Sequence, residues 1–358
     1  MQLVFELSGE HETLPKAEVR AGLDASGVAY EELTFSDRLL LVEVPQLSPE
    51  NKRLDLLSRR LGMTHRVYSM LGTSALDEKE ILNVVKSVDL AAIMEAERTF
   101  AVRTRFLHKS SLYSRRDELL RLVGECITRA GCYTVDLKNP SKTFVLLLTA
   151  QKCFFCLLLH SVDKRQFEAK RPHFRPFFSP VVIMPKIARA LVNLSGVNAA
   201  EVLLDPFCGT GGILLEAVAI GAEAIGADVQ GKMVGGAREN LEFFGLRGDL
   251  IVSDASEIPL RDNSIDAVVT DMPYGRASFV SGSSFCITKS RSVSIELLHQ
   301  EALAEIHRVL KTGRKAVIVS NSPAFHSFAR KYGFRLIEQH AYRVHKSLTR
   351  YITVLEKA

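Results

Sequence analysis

Four short apolar runs in the second half of this 358-residue chain each lead into an aspartate, and their spacing constrains the fold more than any other feature. They are Val202-Leu203-Leu204-Asp205, Ala224-Ile225-Gly226-Ala227-Asp228, Leu250-Ile251-Val252-Ser253-Asp254 and Val268-Val269-Thr270-Asp271. Helices are predicted over 212–220 and 230–244 between the first three. A third helix, over 293–311, follows the fourth, then a strand at 315–319 and a final pair near 335–343 and 350–356. Strands alternating with helices specify a parallel, doubly wound α/β sheet of the Rossmann kind. Ligands bind such sheets at the carboxyl ends of the strands, where all four acids stand.

The first run continues into Pro206-Phe207-Cys208-Gly209-Thr210-Gly211-Gly212, a turn whose glycines let backbone approach a ligand closely. A dinucleotide fingerprint would need a glycine at position 214, which is Leu214, and no Walker-type phosphate loop occurs anywhere. The acids suit S-adenosylmethionine instead, with Asp205 near its amino-acid end, Asp228 on the ribose and Asp254 accepting from the adenine amine. Phe207, Gly209, Thr210, Gly211 and Gly212 of the turn, with Val229 and Ala255 beside the second and third acids, complete this candidate cofactor set. The competing reading is that these acids only end strands or cap helices. After the fourth strand, Asp271-Met272-Pro273-Tyr274-Gly275 points a carboxylate, a backbone carbonyl and an aromatic face into one space. That trio suits a planar base with an exocyclic amine: two acceptors hold the NH2 hydrogens while the ring stacks on Tyr274. Asp271, Met272, Pro273 and Tyr274 are therefore the candidate catalytic residues, Asp271 also bordering the cofactor, and the chemistry requires no metal.

These motifs resemble the class I methyltransferases that modify amino groups of nucleobases, whose turn reads Asp/Asn-Pro-Pro-Tyr/Phe; here Met272 replaces the first proline. Arg171-Pro172-His173-Phe174-Arg175-Pro176-Phe177-Phe178-Ser179-Pro180, then Pro185-Lys186-Ile187-Ala188-Arg189, is similar to the archaeal tRNA guanine 2-amino methyltransferases of the guanosine-10 family. So is the ending Arg343-Val344-His345-Lys346-Ser347-Leu348-Thr349-Arg350. The resemblance covers essentially the whole C-terminal half. It implies methylation of a guanosine 2-amino group in tRNA, at position 10 and twice in succession, with position 6 or an adenine 6-amino group as the rival targets. It also implies that Phe178 and Ser179 lie over the methionine end of the cofactor, unless that stretch is only a hinge. Archaeal members act alone, so a monomer without an obligatory protein partner is expected.

The N-terminal half carries Arg98-Thr99-Phe100-Ala101-Val102-Arg103-Thr104-Arg105, an amphipathic helix near 114–130, Tyr133-Thr134-Val135-Asp136-Leu137-Lys138-Asn139-Pro140 and strands at 143–149 and 153–160. This resembles a THUMP domain, an RNA-binding module joined to RNA-modifying enzymes. Before it, strand, helix (14–26), two strands (the second at 38–44), helix (50–61) and strand (65–71) make a ferredoxin-like α+β pattern. The expected division is 1–72 ferredoxin-like, 73–160 THUMP, 161–176 linker and 177–358 methyltransferase.

Charge agrees with that division. Residues 101–175 hold 15 Lys/Arg against 6 Asp/Glu, while residues 1–50 hold 3 against 10, so the overall net of +5 hides a basic middle beside an acidic start. Residues 301–358 add a second basic block, 11 against 4. Basic blocks flanking a nucleobase-type site predict contact with RNA phosphates. The candidates are Arg103, Arg105, Lys138, Arg276, Lys346 and Arg350. The glycine- and serine-rich stretch after Gly275 is expected to close on RNA through Arg276 and Phe279, or else to be a plain connector.

No apolar run reaches membrane-spanning length, and the N-terminus lacks a basic signal region, so a soluble, cytoplasmic protein is expected. Cys153-Phe154-Phe155-Cys156 has metal-ligand spacing, but its alternation predicts a strand with the two cysteines on opposite faces. Cys208 fits its turn by being small rather than as a nucleophile.

Overall fold

Each apolar run becomes a strand, and the strands collect into two sheets. The computed structural model describes residues 1–48, 51–95, 97–108, 111–179, 182–273, 291–345 and 348–358. The chain starts β1 (Gln2–Leu7), α1 (Leu14–Ala25), β2 (Glu31–Ser36), β3 (Leu39–Glu43), α2 (Lys52–Arg60) and β4 (Thr64–Ala75). It continues α3 (Glu78–Ser87), α4 (Leu90–Met94), β5 (Thr99–Phe106), α5 (Arg116–Gly131), β6 (Thr134–Val135), β7 (Lys142–Leu148) and β8 (Lys152–Ser161). Then come α6 (Arg165–Ala169), α7 (Pro185–Leu194), β9 (Val202–Asp205), α8 (Gly212–Ala219), β10 (Glu223–Asp228), α9 (Gly231–Phe243) and β11 (Asp249–Val252). The last elements are β12 (Ile265–Asp271), α10 (Arg291–Val309), β13 (Leu310–Ser320), α11 (Phe325–Ala329), β14 (Phe334–His345) and β15 (Leu348–Lys357). These form two compact units, one of residues 1–9, 28–58 and 64–162, the other of 10–27, 59–63 and 163–358.

The first unit is built on one eight-stranded sheet in the order β2-β3-β1-β4-β8-β7-β5-β6. The expected boundary at 72/73 falls inside β4, which pairs with β1 on one side and β8 on the other. The strands of the ferredoxin-like and THUMP stretches are therefore hydrogen-bonded neighbours in a single sheet. Period-2 alternation sends Cys153, Phe155 and Leu157 into the core under α3 and α5. Phe154, Cys156 and Leu158 go to the opposite face, with Val4 and Tyr68. The two cysteines thus face opposite sides, as the alternation predicts. On α5, Leu119, Val123 and Ile127 are buried at four-residue spacing, one helical face turned to the core.

The second unit carries a seven-stranded sheet, β11-β10-β9-β12-β13-β15-β14. The first five strands are parallel, while β15 runs antiparallel to both β13 and β14. The doubly wound expectation holds with that final antiparallel pair added. Helix α1 belongs to this unit: Leu14, Ala17 and Ala21 share a core with Ile187, Leu191 and Leu203. Its buried Glu18 accepts N–H bonds from Gly62 and Met63 and one from the Asn193 amide, all at 2.8 Å. The stretch 161–176, read from sequence as a connection, contains α6 and buries Phe167, Lys170 and Arg175 within the unit. Among the described residues no helix is long and apolar enough to cross a membrane.

Candidate active site

Parallel strands deliver their carboxyl ends to one edge. Asp205, Asp228 and Asp271, the last residues of β9, β10 and β12, are collected there because β9 pairs with both neighbours. Asp205 is 2% exposed. Its Oδ1 accepts the Thr270 hydroxyl at 2.6 Å and the Phe207 N–H at 3.2 Å. Burial pushes its carboxyl up to about 7, and the charges of Asp271 and Asp228 act in the same direction. Asp228 is raised by burial too, against N–H donors from Gln230 at 2.9 Å and Gly209 at 3.1 Å. Asp254 lies two residues past β11, its Oδ1 accepting the Ser256 N–H at 3.0 Å. Val229 is half-buried and Ala255 buried.

The turn between β9 and α8 needs its glycines. Gly209 (φ +49°) and Gly211 (φ +76°) occupy the left-handed region, and Gly211 caps α8. Thr210 is buried within the turn, and Phe207 and Gly212 are half-buried. Burial raises the Cys208 thiol well above its ordinary value, which suits a small filler and not a nucleophile.

Asn240 on α9 locks a second segment onto this turn, a role the sequence reading missed. Its Nδ2 donates to the carbonyls of Phe177 and Thr210, both at 2.9 Å, and its Oδ1 accepts the Phe177 N–H at 3.0 Å. The Phe177 ring lies so close to Gly236 that a Cβ there would come within 2.1 Å of it. Phe178 and Ser179 therefore follow directly from a residue tied to the glycine-rich turn; Phe178 is exposed and Ser179 half-buried.

Asp271 is pushed up to about 7 by burial, against the pull of Arg350. Arg350 Nη2 stands 3.1 Å from Asp271 Oδ2. Because β15 runs antiparallel to its neighbours, it begins at the carboxyl edge of the sheet and brings Arg350 to the acid. Arg350, expected from charge to meet RNA, is 5% exposed and sits at the centre of the site instead. The Met272 side chain is buried and its N–H donates to Val319 O at 3.0 Å. His299 Nε2 donates to Pro273 O at 3.2 Å, and burial lowers the His299 pKa. Tyr274, Arg276, Phe279 and the stretch after Gly275 lie outside the described residues, as does Lys346.

In the first unit, Arg103 and Lys138 are exposed, Arg103 Nη2 donating to Leu137 O at 2.7 Å. Arg105 pairs with the buried Glu6 at 2.6 Å. No group of three or more His, Cys, Asp or Glu is arranged to hold a metal among the described residues.

Residues 172–352 match the family described as RMKL-like, methyltransferase domain, and residues 75–158 match the THUMP domain. The chain is 34% identical over 360 residues to the tRNA (guanine(10)-N2)-dimethyltransferase of Methanothermobacter thermautotrophicus, covering 100% of both chains. The protein of the same name from Methanocaldococcus jannaschii is 28% identical and covers 99% of each. Among solved structures, TrmN from Thermus thermophilus shares the fold with a TM-score of 0.55 at 20% identity, over 100% of both chains.

Proposed function

The chain belongs to the THUMP-bearing RMKL-like methyltransferases, and from that premise we propose that it methylates the 2-amino group of guanosine 10 in tRNA, twice in succession, using S-adenosylmethionine. The observation that carries this reading is the half-buried Asp271 at the end of β12, next to Asp205 and the glycine-rich turn. The donor set fits the cofactor: Asp205 can meet an ammonium, Asp228 a ribose diol and Asp254 an adenine amine. S-adenosylmethionine supplies an electrophilic methyl on a sulfonium.

The 2-amino nitrogen of guanine is a poor nucleophile because its lone pair is delocalised into the ring. Asp271 and the Met272 carbonyl hold its two hydrogens, so the lone pair turns out of the ring plane toward the methyl. The Pro273 carbonyl is already engaged by His299. As the nitrogen becomes tetrahedral it gains positive charge, and the Asp271 carboxylate stabilises that charge. Arg350 tethers the carboxylate and opposes the burial that raises its pKa, favouring the anionic form that the amine needs. Tyr274 stacks the base, which must leave its helix to enter. Fixing the amine in line with the methyl supplies much of the remaining acceleration.

The RNA-binding region corresponds to the first unit, with Arg103 and Lys138 as exposed phosphate contacts and Arg276 and Lys346 as further ones. The protein works in the cytoplasm without a protein partner. The relatives' named chemistry favours guanine over the adenine 6-amine.

The test is methyl transfer from labelled S-adenosylmethionine to unmodified tRNA transcripts, followed by nucleoside analysis. Dimethylguanosine that disappears when guanosine 10 is replaced by adenosine is the expected result. Product that survives the replacement moves the target, first to position 6.

A further inference from the structure

The turn after β12 lacks its first proline: position 272 is methionine. A proline there would fix φ and remove an N–H. The chain keeps that N–H and uses it, donating to Val319 O at 3.0 Å, one step beyond the Asp271–Val319 pairing of β12 and β13. The Met272 side chain is 1% exposed, in a core it shares with Leu204, Val268, Ile318 and Phe325. The first half of the turn is therefore held by the sheet. Pro273 has no N–H to give, so its polar anchorage runs through its carbonyl. That carbonyl accepts from His299 Nε2 at 3.2 Å.

The donor is itself held still. Helix α10, which carries His299, is seated by Ala302, Leu303 and Ile306 in the same core as Met272. The imidazole stands edge-on to Phe325, with ring centroids 6.0 Å apart and planes at 77°. A carbonyl only accepts, so Nε2 carries the proton in this pair. Burial lowers the pKa of the ring, against the Pro273 bond and the charge of Glu296, which favours the neutral form. A neutral donor fixes the carbonyl without adding positive charge beside an amine that becomes cationic as it reacts.

We propose that His299 is a positioning residue for methyl transfer: by holding the Pro273 carbonyl it fixes the Met272 carbonyl, which lies between the two anchors, on the amine. This rests on the amine-methylation reading of the turn above. Helix α10 thus supplies from outside the stiffness that a proline at 272 would give from within. The Met272 carbonyl has to meet one amine hydrogen while Asp271 meets the other, so its direction sets where the lone pair points. A misplacement of about 1 Å in such an alignment can cost roughly 100-fold in rate. The effect falls on the chemical step and spares cofactor binding, because Asp205 and Asp228 belong to other strands.

Single-turnover methyl transfer by the full chain to unmodified tRNA transcripts tests this, with tRNA and S-adenosylhomocysteine affinities measured alongside. His299→Leu removes the donor at similar volume and should slow transfer roughly 10- to 100-fold, with both affinities kept. His299→Gln, whose amide reaches the place of Nε2, should recover most of the rate. His299→Asn, whose amide stops short of it, should not, and this pair decides the matter if the Leu variant does not fold. A Leu or Asn variant at the wild-type rate overturns the inference. So does a Gln variant as slow as the Asn one, because packing on Phe325 rather than the hydrogen bond would then be what counts. Loss of affinity in place of rate overturns it too, since that is what a purely structural His299 gives. If wild type itself transfers no methyl to guanine, the amine-methylation reading fails and this inference falls with it.

Discussion

Two carboxylates removed from bulk water, one buried in the first unit and one half-buried in the second, show how differently the same group can be treated. Glu6, in the sheet of the first unit, is 2% exposed, and burial alone would raise its pKa. The Tyr68 hydroxyl at 2.6 Å and the Arg105 and Arg66 guanidiniums at 2.6 and 3.1 Å reverse the sign and bring it below its ordinary value. Asp271, at the sheet edge of the second unit, has burial as its leading influence and Arg350 as its opposing charge, and stays up at about 7. Glu6 is anionic and structural at neutral pH. Asp271 is poised between its two forms, as a group awaiting a substrate must be. Glu18 marks the boundary of the rule: burial raises it too, but three N–H donors fill its oxygens, so it ties α1 in place and offers nothing to a ligand.

The largest expected effect comes from breaking the structural member. Glu6→Ala leaves Arg66 and Arg105 without their shared anion and should cost about 3–5 kcal/mol of stability. Chemical denaturation measures it, and affinity for S-adenosylhomocysteine in the folded protein should be unchanged. A loss below ~1 kcal/mol removes the contrast with Asp271. Next comes the clamp that orders the cofactor segment. Asn240→Ala unpairs two carbonyls and one N–H, and should weaken S-adenosylhomocysteine binding by about 1–3 kcal/mol, readable by calorimetry. Unaltered affinity would mean that Phe177–Ser179 do not cover the ligand.

The smallest effect sharpens the comparison through pH. Asp205 and Asp271 have folded pKa values raised from 3.8 to about 7. Their stabilising contribution is complete below the unfolded pKa and is lost as pH rises through about 7. The free protein should therefore lose stability from these groups between about pH 4 and 7, where Glu6, whose folded value is lowered, gives no such loss. A ligand bearing a sulfonium and an ammonium favours the ionised forms. Its affinity should fall roughly tenfold per pH unit below 7 for one coupled proton, and a flat profile from pH 5.5 to 8 contradicts the assignment.

Much of this was legible in the chain. Apolar runs ending in acids placed β9, β10 and β12 and their aspartates, since strand period and parallel winding fix where a terminal residue goes. What stayed hidden depended on contacts between elements distant in sequence. Arg350 looked like an RNA contact because it stands in a basic block; only the antiparallel entry of β15 turns it to Asp271. Asn240 looked like an ordinary helix residue until α9 met Phe177. The continuity of the sheet across 72/73 was hidden for a related reason: the β4 backbone runs straight through it, paired on its two edges with strands distant in sequence.

The central claim is that Asp271 is the group that makes the amine reactive. It is tested most directly by single-turnover methyl transfer, wild type against Asp271→Ala, with cofactor affinity measured alongside. The account predicts a rate loss of roughly 100- to 1,000-fold, the cost of removing one preorganised polar group, with S-adenosylhomocysteine still bound. An Asp271→Ala protein that transfers methyl at the wild-type rate would contradict it.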